Sequence, residues 1–178
     1  QLSLIKTYLD YMKFVQDKSG KIYNFVDENK KIDFEQWSED AHGRALYSLG
    51  YLVQSEKIPV DLKDQAKRIF NKAIRASRRF MSPRAIAFSL IGLHYINEFK
   101  HSKKNISRIK KFANFLVTLY EDSSNKNWKW FEDRLTYSNS RLPEALFYAY
   151  LSTNSRKYLE IARESMDFLI SQTFVDGM

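Results

Sequence analysis

Stretches that are apolar or small nearly all round alternate with amphipathic stretches along this chain, and no other feature of the sequence restricts its fold as strongly. The all-round apolar stretches are 45–53, 85–93 and 145–151. A helix that is apolar on every side is buried on every side, so the amphipathic segments must cover the apolar ones. The alternation therefore predicts an all-α protein built from antiparallel helical hairpins in two layers, with outer helices around inner ones.

Composition and capping signals agree with this interpretation. The 178 residues include only five Gly and three Pro, which is typical of long helices rather than of a fold with many tight turns. Ser82 followed by Pro83 is a strong start signal for a helix, and Ser38 and Ser155 are further candidate N-caps. The apolar periodicity predicts seven helices, at 2–17, 39–56, 60–80, 83–99, 104–121, 143–152 and 156–173.

The connections that lead into the inner helices differ from those that leave them. Two of the leading connections, 18–38 and 122–141, are long and rich in aromatic and polar residues, and the first has the pattern of a small β-hairpin around 27–30. In a series of antiparallel hairpins, all connections of one kind lie at the same end. We therefore expect one rim to carry both long loops and the N-termini of all three inner helices, and such loops are where function concentrates.

The residues expected on this rim have the chemistry of a carbohydrate site. Aromatic rings stack on the C–H faces of sugars, and carboxylates and amides bind the hydroxyls, while a pair of carboxyl groups also suits glycosidic cleavage. The candidate catalytic residues are Glu39, Asp40 and Glu132. The candidate substrate-binding residues are Trp37, Arg44, Arg84, Trp130, Tyr137, Asn139 and Glu144.

Structural roles explain several of these residues equally well. Acidic residues in a first helical turn are stabilised by the helix dipole, which applies to Glu39, Asp40 and Glu144. An ion pair with Asp40, four residues earlier, explains Arg44 as well as a ligand contact does. The ring of Trp130 suits an anchor that holds its loop on the core as well as it suits a stacking platform.

Several other classes of site are excluded or disfavoured. The absence of Cys excludes disulfides, thiol catalysis and Cys-ligated metals. The three His residues lack metal-ligand spacing, so neither a metal nor another cofactor is expected. The net charge of +8 falls mostly on outer helical faces without a nucleic-acid-binding motif, so a nucleic-acid partner is not favoured. No apolar run reaches the roughly 20 residues of a membrane span, and a cytoplasmic location is expected.

Three motifs carry a resemblance to a known family. They are SEDAHGRALYSLG at 38–50, RAIAFSLIGL at 84–93 and WKWFEDRLTYSNSRLPEAL at 128–146. In this order, they resemble a bacterial six-hairpin, glycosidase-like domain of the type fused to, or encoded beside, glycosyltransferases and mannoside phosphorylases. The resemblance implies an (α/α)6 toroid with its ligand groove at the rim, in a group whose relatives include glycosidases, polysaccharide lyases and sugar epimerases.

The resemblance also implies site residues and a function. In the first motif the matching positions are Glu39, Asp40 and Arg44, and in the third they are Trp130, Glu132, Tyr137, Asn139 and Glu144. The implied function is saccharide binding at the rim, with glycoside processing through a carboxylate pair as a further expectation. The alternative is a helical scaffold that binds a protein partner such as a glycosyltransferase.

The chain supplies about half of such a ring. A complete toroid has six hairpins, whereas the sequence predicts three hairpins and one extra helix. The helix at 2–17 starts without a cap and 174–178 opens a loop, so residues 1–178 are expected to form one partial domain of a longer protein. Half a ring exposes inner-helix surface, so a second copy of the chain is an expected partner beside a saccharide.

Overall fold

Helices account for nearly all regular structure in this protein. The structure is a computed structural model and describes residues 1–174; residues 175–178 of the expected terminal loop lie outside this range. The described helices are α1 (Leu2–Phe14), α2 (Glu39–Gln54), α3 (Val60–Ala73), α4 (Pro83–Phe99), α5 (Lys103–Ser123), α6 (Arg141–Thr153) and α7 (Arg156–Thr173), with a 3-10 turn at Ala76–Arg79. The predicted all-α class is confirmed.

The helices pack in two layers. In the inner layer α4 lies between α2 and α6, while α3, α5 and α7 cover these three helices and α1 packs against α3. Helix α4 is buried on all sides, from Arg84 through Asn97. The predicted arrangement of amphipathic helices over apolar ones is therefore confirmed, and closure of the layers into a toroid stays a prediction.

Two of the predicted N-caps form as expected. The Ser38 hydroxyl accepts a hydrogen bond from the Ala41 N–H at 3.2 Å, and the Ser82 hydroxyl accepts one from the Ala85 N–H at 3.4 Å. Ser155 occupies the predicted N-cap position of α7, but its side chain makes no capping hydrogen bond there. The two confirmed caps begin inner helices and thus fix the rim ends of α2 and α4.

The predicted helix at 60–80 is wrong in its last third, since α3 ends at Ala73. The Ala73 carbonyl lies 3.1 Å from Nε2 of His42 on α2. A carbonyl that accepts a bond from another element is less available to the N–H four residues later, which would continue the helix. Neither Pro nor Gly marks this end, so the local sequence does not signal it.

The connection between α1 and α2 doubles back twice. One reversal ends α1 at Phe14, before the predicted end at 17, and contains Gly20 at a φ of +100°. The other turns at 27–30, where the hairpin is predicted, with Lys30 at a φ of +62°. The pairing is limited to two isolated antiparallel bridges, Gln16 with Ile22 and Val26 with Ile32.

Helices α2 and α4 approach closely because glycines lie where they meet. A Cβ atom added to Gly43 would lie 2.8 Å from the Cα atom of Ala85, and one added to Gly50 would lie 2.8 Å from the Cα atom of Gly92. Such distances are shorter than real Cβ atoms tolerate against backbone. Gly43 and Gly50 therefore allow the backbones of α2 and α4 to pack closely.

We expect Gly50→Ala to lower the free energy of unfolding by about 2 kcal/mol, although alanine is the better helix former. The new methyl group would clash with backbone atoms of Gly92, which cannot move aside as a flexible side chain could. Urea denaturation measures the change. Ser48→Ala, at an exposed position of α2, is the control and should change stability by less than about 0.5 kcal/mol. Equal stability of both variants would contradict tight packing at this crossing.

Candidate functional site

The loops before the three inner helices come into contact at one end of the molecule. From the first turn of α2, Glu39 reaches the segment that precedes α4. Its Oε2 accepts hydrogen bonds from the N–H groups of Met81 and Ser82, both at 2.8 Å. From the first turn of α4, Arg84 reaches the long loop before α6. The structure thus brings together the three loop regions on which the candidate residues lie.

Arg84 connects this end of α4 to the loop before α6. Its side chain is only 4% exposed and lies 2.8 Å from Oε2 of Glu132, while its Nη1 donates to Oε1 at 2.9 Å. The guanidinium also donates to Oδ1 of Asn139 at 3.1 Å and to the Tyr137 carbonyl. The second Glu132 oxygen is buried and, despite its closeness to Arg84, receives no well-directed hydrogen bond. A planar guanidinium with partners in several directions holds the loop in one conformation.

Tyr137 lies at the surface beside Arg84. Its ring is 50% exposed and its centre lies 4.8 Å from the Arg84 guanidinium, while its hydroxyl donates to Oδ1 of Asp40 at 3.0 Å. The other Asp40 oxygen pairs with Nε of Arg44 at 2.6 Å, and Arg44 donates to the Ser138 hydroxyl at 3.3 Å. Burial and the bond to Asp40 raise the pKa of Tyr137, so its hydroxyl keeps its proton at neutral pH. We refer to Asp40, Arg44, Arg84, Glu132, Tyr137 and Asn139 as the rim cluster.

Trp130 belongs to the core and not to the rim cluster. Its ring has no exposed area and packs against Phe131, at 5.3 Å between ring centres, and near Phe168 at 6.4 Å. The prediction that Trp130 stacks on a sugar is therefore wrong, because both faces of the ring are covered. The aromatic residues of this loop anchor it on the outer helices and leave Tyr137 as the exposed ring.

Trp37 and Glu144 also have structural partners. The Trp37 ring is partly buried, contacts Phe80 at 5.8 Å between centres, and has the Lys21 ammonium 4.4 Å from its centre. Glu144 pairs with Arg141 at 2.7 Å within the first turn of α6. Neither side chain belongs to the exposed contacts around Tyr137.

His42, which the sequence analysis did not single out as a site residue, fastens two further segments to α2. It has no exposed area; its Nδ1 accepts a hydrogen bond from the Ile22 N–H at 3.0 Å, so its proton is on Nε2, which faces the Ala73 carbonyl. Burial lowers the pKa of His42 from 6.5 to about 4. The neutral ring therefore holds the loop after α1 and the end of α3 against α2.

An aromatic surface that the sequence analysis missed continues from the rim cluster along the inner helices. The guanidinium groups of Arg44 and Arg141 lie over the Phe88 ring, at 4.5 and 5.7 Å from its centre. We refer to the rings that follow in mutual contact as the aromatic surface: Tyr47, Tyr51, Phe88, Tyr95 and Tyr148. Tyr51 is 57% exposed and Tyr47 and Tyr148 are partly exposed, whereas Phe88 and Tyr95 are buried. The available signal was spacing, since Tyr47 and Tyr51 are four residues apart and share one face of α2.

The three candidate catalytic carboxylates all have protein partners. Glu39 binds backbone N–H groups before α4, Asp40 binds Tyr137 and Arg44, and Glu132 binds Arg84. Together with the exposed phenol and guanidinium groups, they can offer both hydrogen-bond donors and acceptors to a polar ligand. Across residues 1–174 no three or more His, Asp or Glu side chains are grouped so that they could hold a metal ion.

Two comparisons of the sequence with known proteins identified no relative. A scan against protein-family models gave no match, and a search of curated proteins found no similar sequence. Within residues 1–174 no helix is long and apolar enough to cross a membrane.

Proposed function

We propose that this domain binds a saccharide across the rim cluster and the adjoining aromatic surface. The observation that carries the proposal is the half-exposed Tyr137 ring, which is held between the Asp40 carboxylate and the Arg84 guanidinium. An aromatic face next to charged hydrogen-bonding groups matches a sugar, which has an apolar C–H face edged by hydroxyl groups. In a partial (α/α)6 toroid these inner-helix surfaces would line the inside of the ring.

Tyr137 needs little ordering before it binds. Its hydroxyl is bound by Asp40, and the backbone on both sides is fixed because Arg84 binds the Tyr137 carbonyl and the side chain of Asn139. Binding normally costs about 0.5–1.5 kcal/mol for each flexible side chain that becomes immobile. Because the Tyr137 side chain is already ordered in the folded protein, little of this entropy is lost on binding. This helps a ligand such as a sugar, which forms only weak contacts.

Arg44 and Asp40 supply the polar contacts beside the ring. The Arg44 side chain is 46% exposed, and its bonds to Asp40 and Ser138 use two of the five N–H donors of a guanidinium. The Asp40 side chain is 25% exposed and has lone pairs beyond those that accept from Tyr137 and Arg44. These groups can donate to and accept from neighbouring sugar hydroxyls at the same time.

The aromatic surface extends the site beyond one sugar ring. Arg44 belongs to the rim cluster and also lies over Phe88, so the two surfaces are continuous. Phe88 and Tyr95 are themselves buried, and the rings that contact them and remain open to a ligand are the partly exposed Tyr47 and Tyr148 and the exposed Tyr51. This continuity favours an oligosaccharide over a monosaccharide.

The contacts of the three carboxylates are more consistent with saccharide binding than with glycoside cleavage. Cleavage needs one carboxyl group that gives its proton to the leaving oxygen and a second that attacks or activates water. Glu39 and Glu132 instead fix backbone and loop, through Ser82 and Arg84, and Asp40 fixes Tyr137. We therefore propose glycoside processing only as a secondary activity of this surface.

We expect Tyr137→Ala to weaken binding of a manno- or gluco-oligosaccharide by about fivefold to tenfold, as the loss of one stacking ring predicts. Tyr137→Phe keeps the ring and removes only the hydrogen bond to Asp40, so it should weaken binding less. Titration calorimetry with mannotetraose and cellotetraose measures both variants.

Tyr11→Ala is the matched control, because Tyr11 is 43% exposed on α1 and lies outside both surfaces. It should bind the oligosaccharides as the unchanged protein does. Equal affinity of Tyr137→Ala and the unchanged protein would contradict the proposed site. Failure of the unchanged protein to bind any manno- or gluco-oligosaccharide would contradict the proposed function.

A second candidate function is a helical scaffold for a protein partner such as a glycosyltransferase. The observation that favours it is an apolar groove of about 330 Å³ between α1 and α2. The groove is lined by Ile5, Tyr8, Leu9, Met12, Ser48, Leu49 and Leu52. A docked helix or a second copy of the chain would cover these side chains, whereas the saccharide proposal makes no use of them.

A further inference from the structure

Basic side chains from three segments converge on two adjoining grooves between α3 and the first half of α5. The larger groove has a volume of about 530 Å³ and the smaller about 270 Å³, and both are lined by Lys104 and Arg108. Neither groove shares a residue with the rim cluster or the aromatic surface. We refer to the two together as the basic groove.

The basic groove holds a concentration of uncompensated positive charge. Its main cations are Arg75, Arg78, Lys100, Lys104, Arg108 and Lys111. No Asp or Glu among the described residues lines either part, and none of these six cations has a carboxylate oxygen within 4.0 Å in the described part of the chain. Lys67 also lines the larger part and is paired with Asp64 at 3.4 Å. Scattered, solvated surface lysines normally alternate with acids, so this arrangement is unlike an ordinary outer face.

Arg108 lies where the two parts of the groove join. Its side chain is partly buried, and this burial, together with the nearby charges of Arg78 and Arg75, lowers its pKa. Cations that repel one another at a partly desolvated position destabilise the folded chain. A bound anion would remove that repulsion and would gain charge-assisted hydrogen bonds from the same groups.

The start of α5 adds backbone donors to the groove. The Ser102 hydroxyl makes no capping hydrogen bond, and the first turn contains no acid, in contrast to the serine-capped start of α2. The Ser102 backbone is held in place by Oδ1 of the buried Asn97, at 3.0 Å, while Nδ2 of Asn97 has no partner. First-turn N–H groups of a helix favour an anion, and here basic side chains surround them.

We propose that the basic groove binds a small molecule that carries two or more neighbouring phosphate groups. Two connected concavities with cations around both suit linked phosphates better than a single anion. The larger part alone falls within the range of about 300–1,000 Å³ that is typical of small-molecule sites. A nucleoside triphosphate and an inorganic polyphosphate share this chemistry, and the test below separates them.

The groove is less suited to a nucleic-acid strand. Proteins that bind single strands offer aromatic platforms on which successive bases stack. The exposed ring at this groove is Phe99, and the Lys67 ammonium lies 4.7 Å from its centre. A single ring with a cation beside it offers no series of platforms for successive bases, so the groove favours a compact ligand.

Titration calorimetry with sodium tripolyphosphate, pyrophosphate, orthophosphate and ATP tests the proposal at about 0.1 M salt, where screening leaves close contacts intact. We expect tripolyphosphate to bind more tightly than orthophosphate. Lys104→Gln/Arg108→Gln should weaken tripolyphosphate binding by about tenfold or more, because each lost charge-assisted bond contributes appreciably. Tighter binding of ATP than of tripolyphosphate would identify a nucleotide as the ligand, and the reverse order an inorganic chain; both support the proposal.

Lys110→Gln/Lys126→Gln is the matched control. Lys110 is exposed on α5 and Lys126 is exposed in the loop after it, neither lines the groove, and the net charge changes by the same amount. It should keep binding within about twofold, as expected for exposed charges outside the groove. Arg78→Gln/Lys104→Gln, which changes exposed positions only, is a second groove variant and should also weaken binding. The proposal would be overturned if the unchanged protein did not bind tripolyphosphate, or if the groove and control variants lost affinity equally. It would also be overturned if a 20-nucleotide RNA bound more tightly than tripolyphosphate and both kinds of variant weakened RNA binding to the same extent.

Discussion

Replacing Arg84 with Met is expected to lower the free energy of unfolding by about 4 kcal/mol, the range seen when one partner of a buried ion pair is removed. The variant leaves the Glu132 carboxylate without its guanidinium, although one Glu132 oxygen remains buried. It also leaves the Tyr137 carbonyl and the Asn139 amide oxygen without a donor that they now have. Both losses fall on the loop that presents the rim cluster, so saccharide binding should weaken in parallel.

Guanidinium chloride denaturation of four proteins measures this effect. The double variant Arg84→Met/Glu132→Gln should be more stable than Arg84→Met alone, because it no longer contains an unpaired carboxylate. Arg134→Met is the control from the same loop: its side chain is 78% exposed and pairs only loosely with Asp133, at 3.7 Å. That variant should change stability by less than about 0.5 kcal/mol. A loss below about 1 kcal/mol for Arg84→Met would contradict the structural role assigned to this pair.

Stability is expected to fall by about 3 kcal/mol between pH 7 and pH 4 through His42 alone, since each unit of pKa shift corresponds to about 1.4 kcal/mol. Burial lowers the pKa of His42 from 6.5 to about 4 in the folded protein. Above pH 6.5 the ring is neutral in both states and the full stability is present. As the pH falls from 6.5 to 4, the unfolded chain takes up a proton that the folded chain does not, so folding becomes less favourable.

The difference between two pH profiles isolates this effect from that of the acidic residues. His42→Gln can still accept from the Ile22 N–H and donate to the Ala73 carbonyl, but it does not titrate. We expect the variant to be less sensitive to pH between 6.5 and 4 than the unchanged protein, in urea denaturation at a series of pH values. His101→Gln, at an exposed position, should keep the original profile. Identical profiles for His42→Gln and the unchanged protein would show that the ring does not stay neutral.

Periodicity made the layers of the fold predictable. Burial of a helix follows from which of its faces are apolar, so the stretch 85–93 on its own identifies α4 as an inner helix. Local capping chemistry likewise fixed the starts of α2 and α4 at Ser38 and Ser82. The end of α3 at Ala73 was not predictable, because it depends on a contact with His42, 31 residues away in the chain.

The candidate site was predictable in its location but not in its detail. The sequence predicted that Asp40, Tyr137 and Arg84 lie on one rim, because alternate loops of a series of antiparallel hairpins lie at the same end. It did not distinguish Trp130 from Tyr137, since loops have no periodicity that reports which ring is buried. It also missed the second half of the candidate binding surface, in which Phe88 lies under two arginines.

The sequence by itself determined that apolar helices lie inside amphipathic ones and that the long loops share one end, because both follow from the spacing of residues along single elements. Only the tertiary structure decided which partners the charged side chains have. Arg84 pairs with Glu132, 48 residues away in the chain, whereas Arg75 and Arg108 line the same groove and no acidic residue lines it with them. Pairing between distant elements depends on where whole helices lie. The net charge of +8 is therefore less informative about function than the buried ion pair of Arg84 and the concentrated cations of the basic groove.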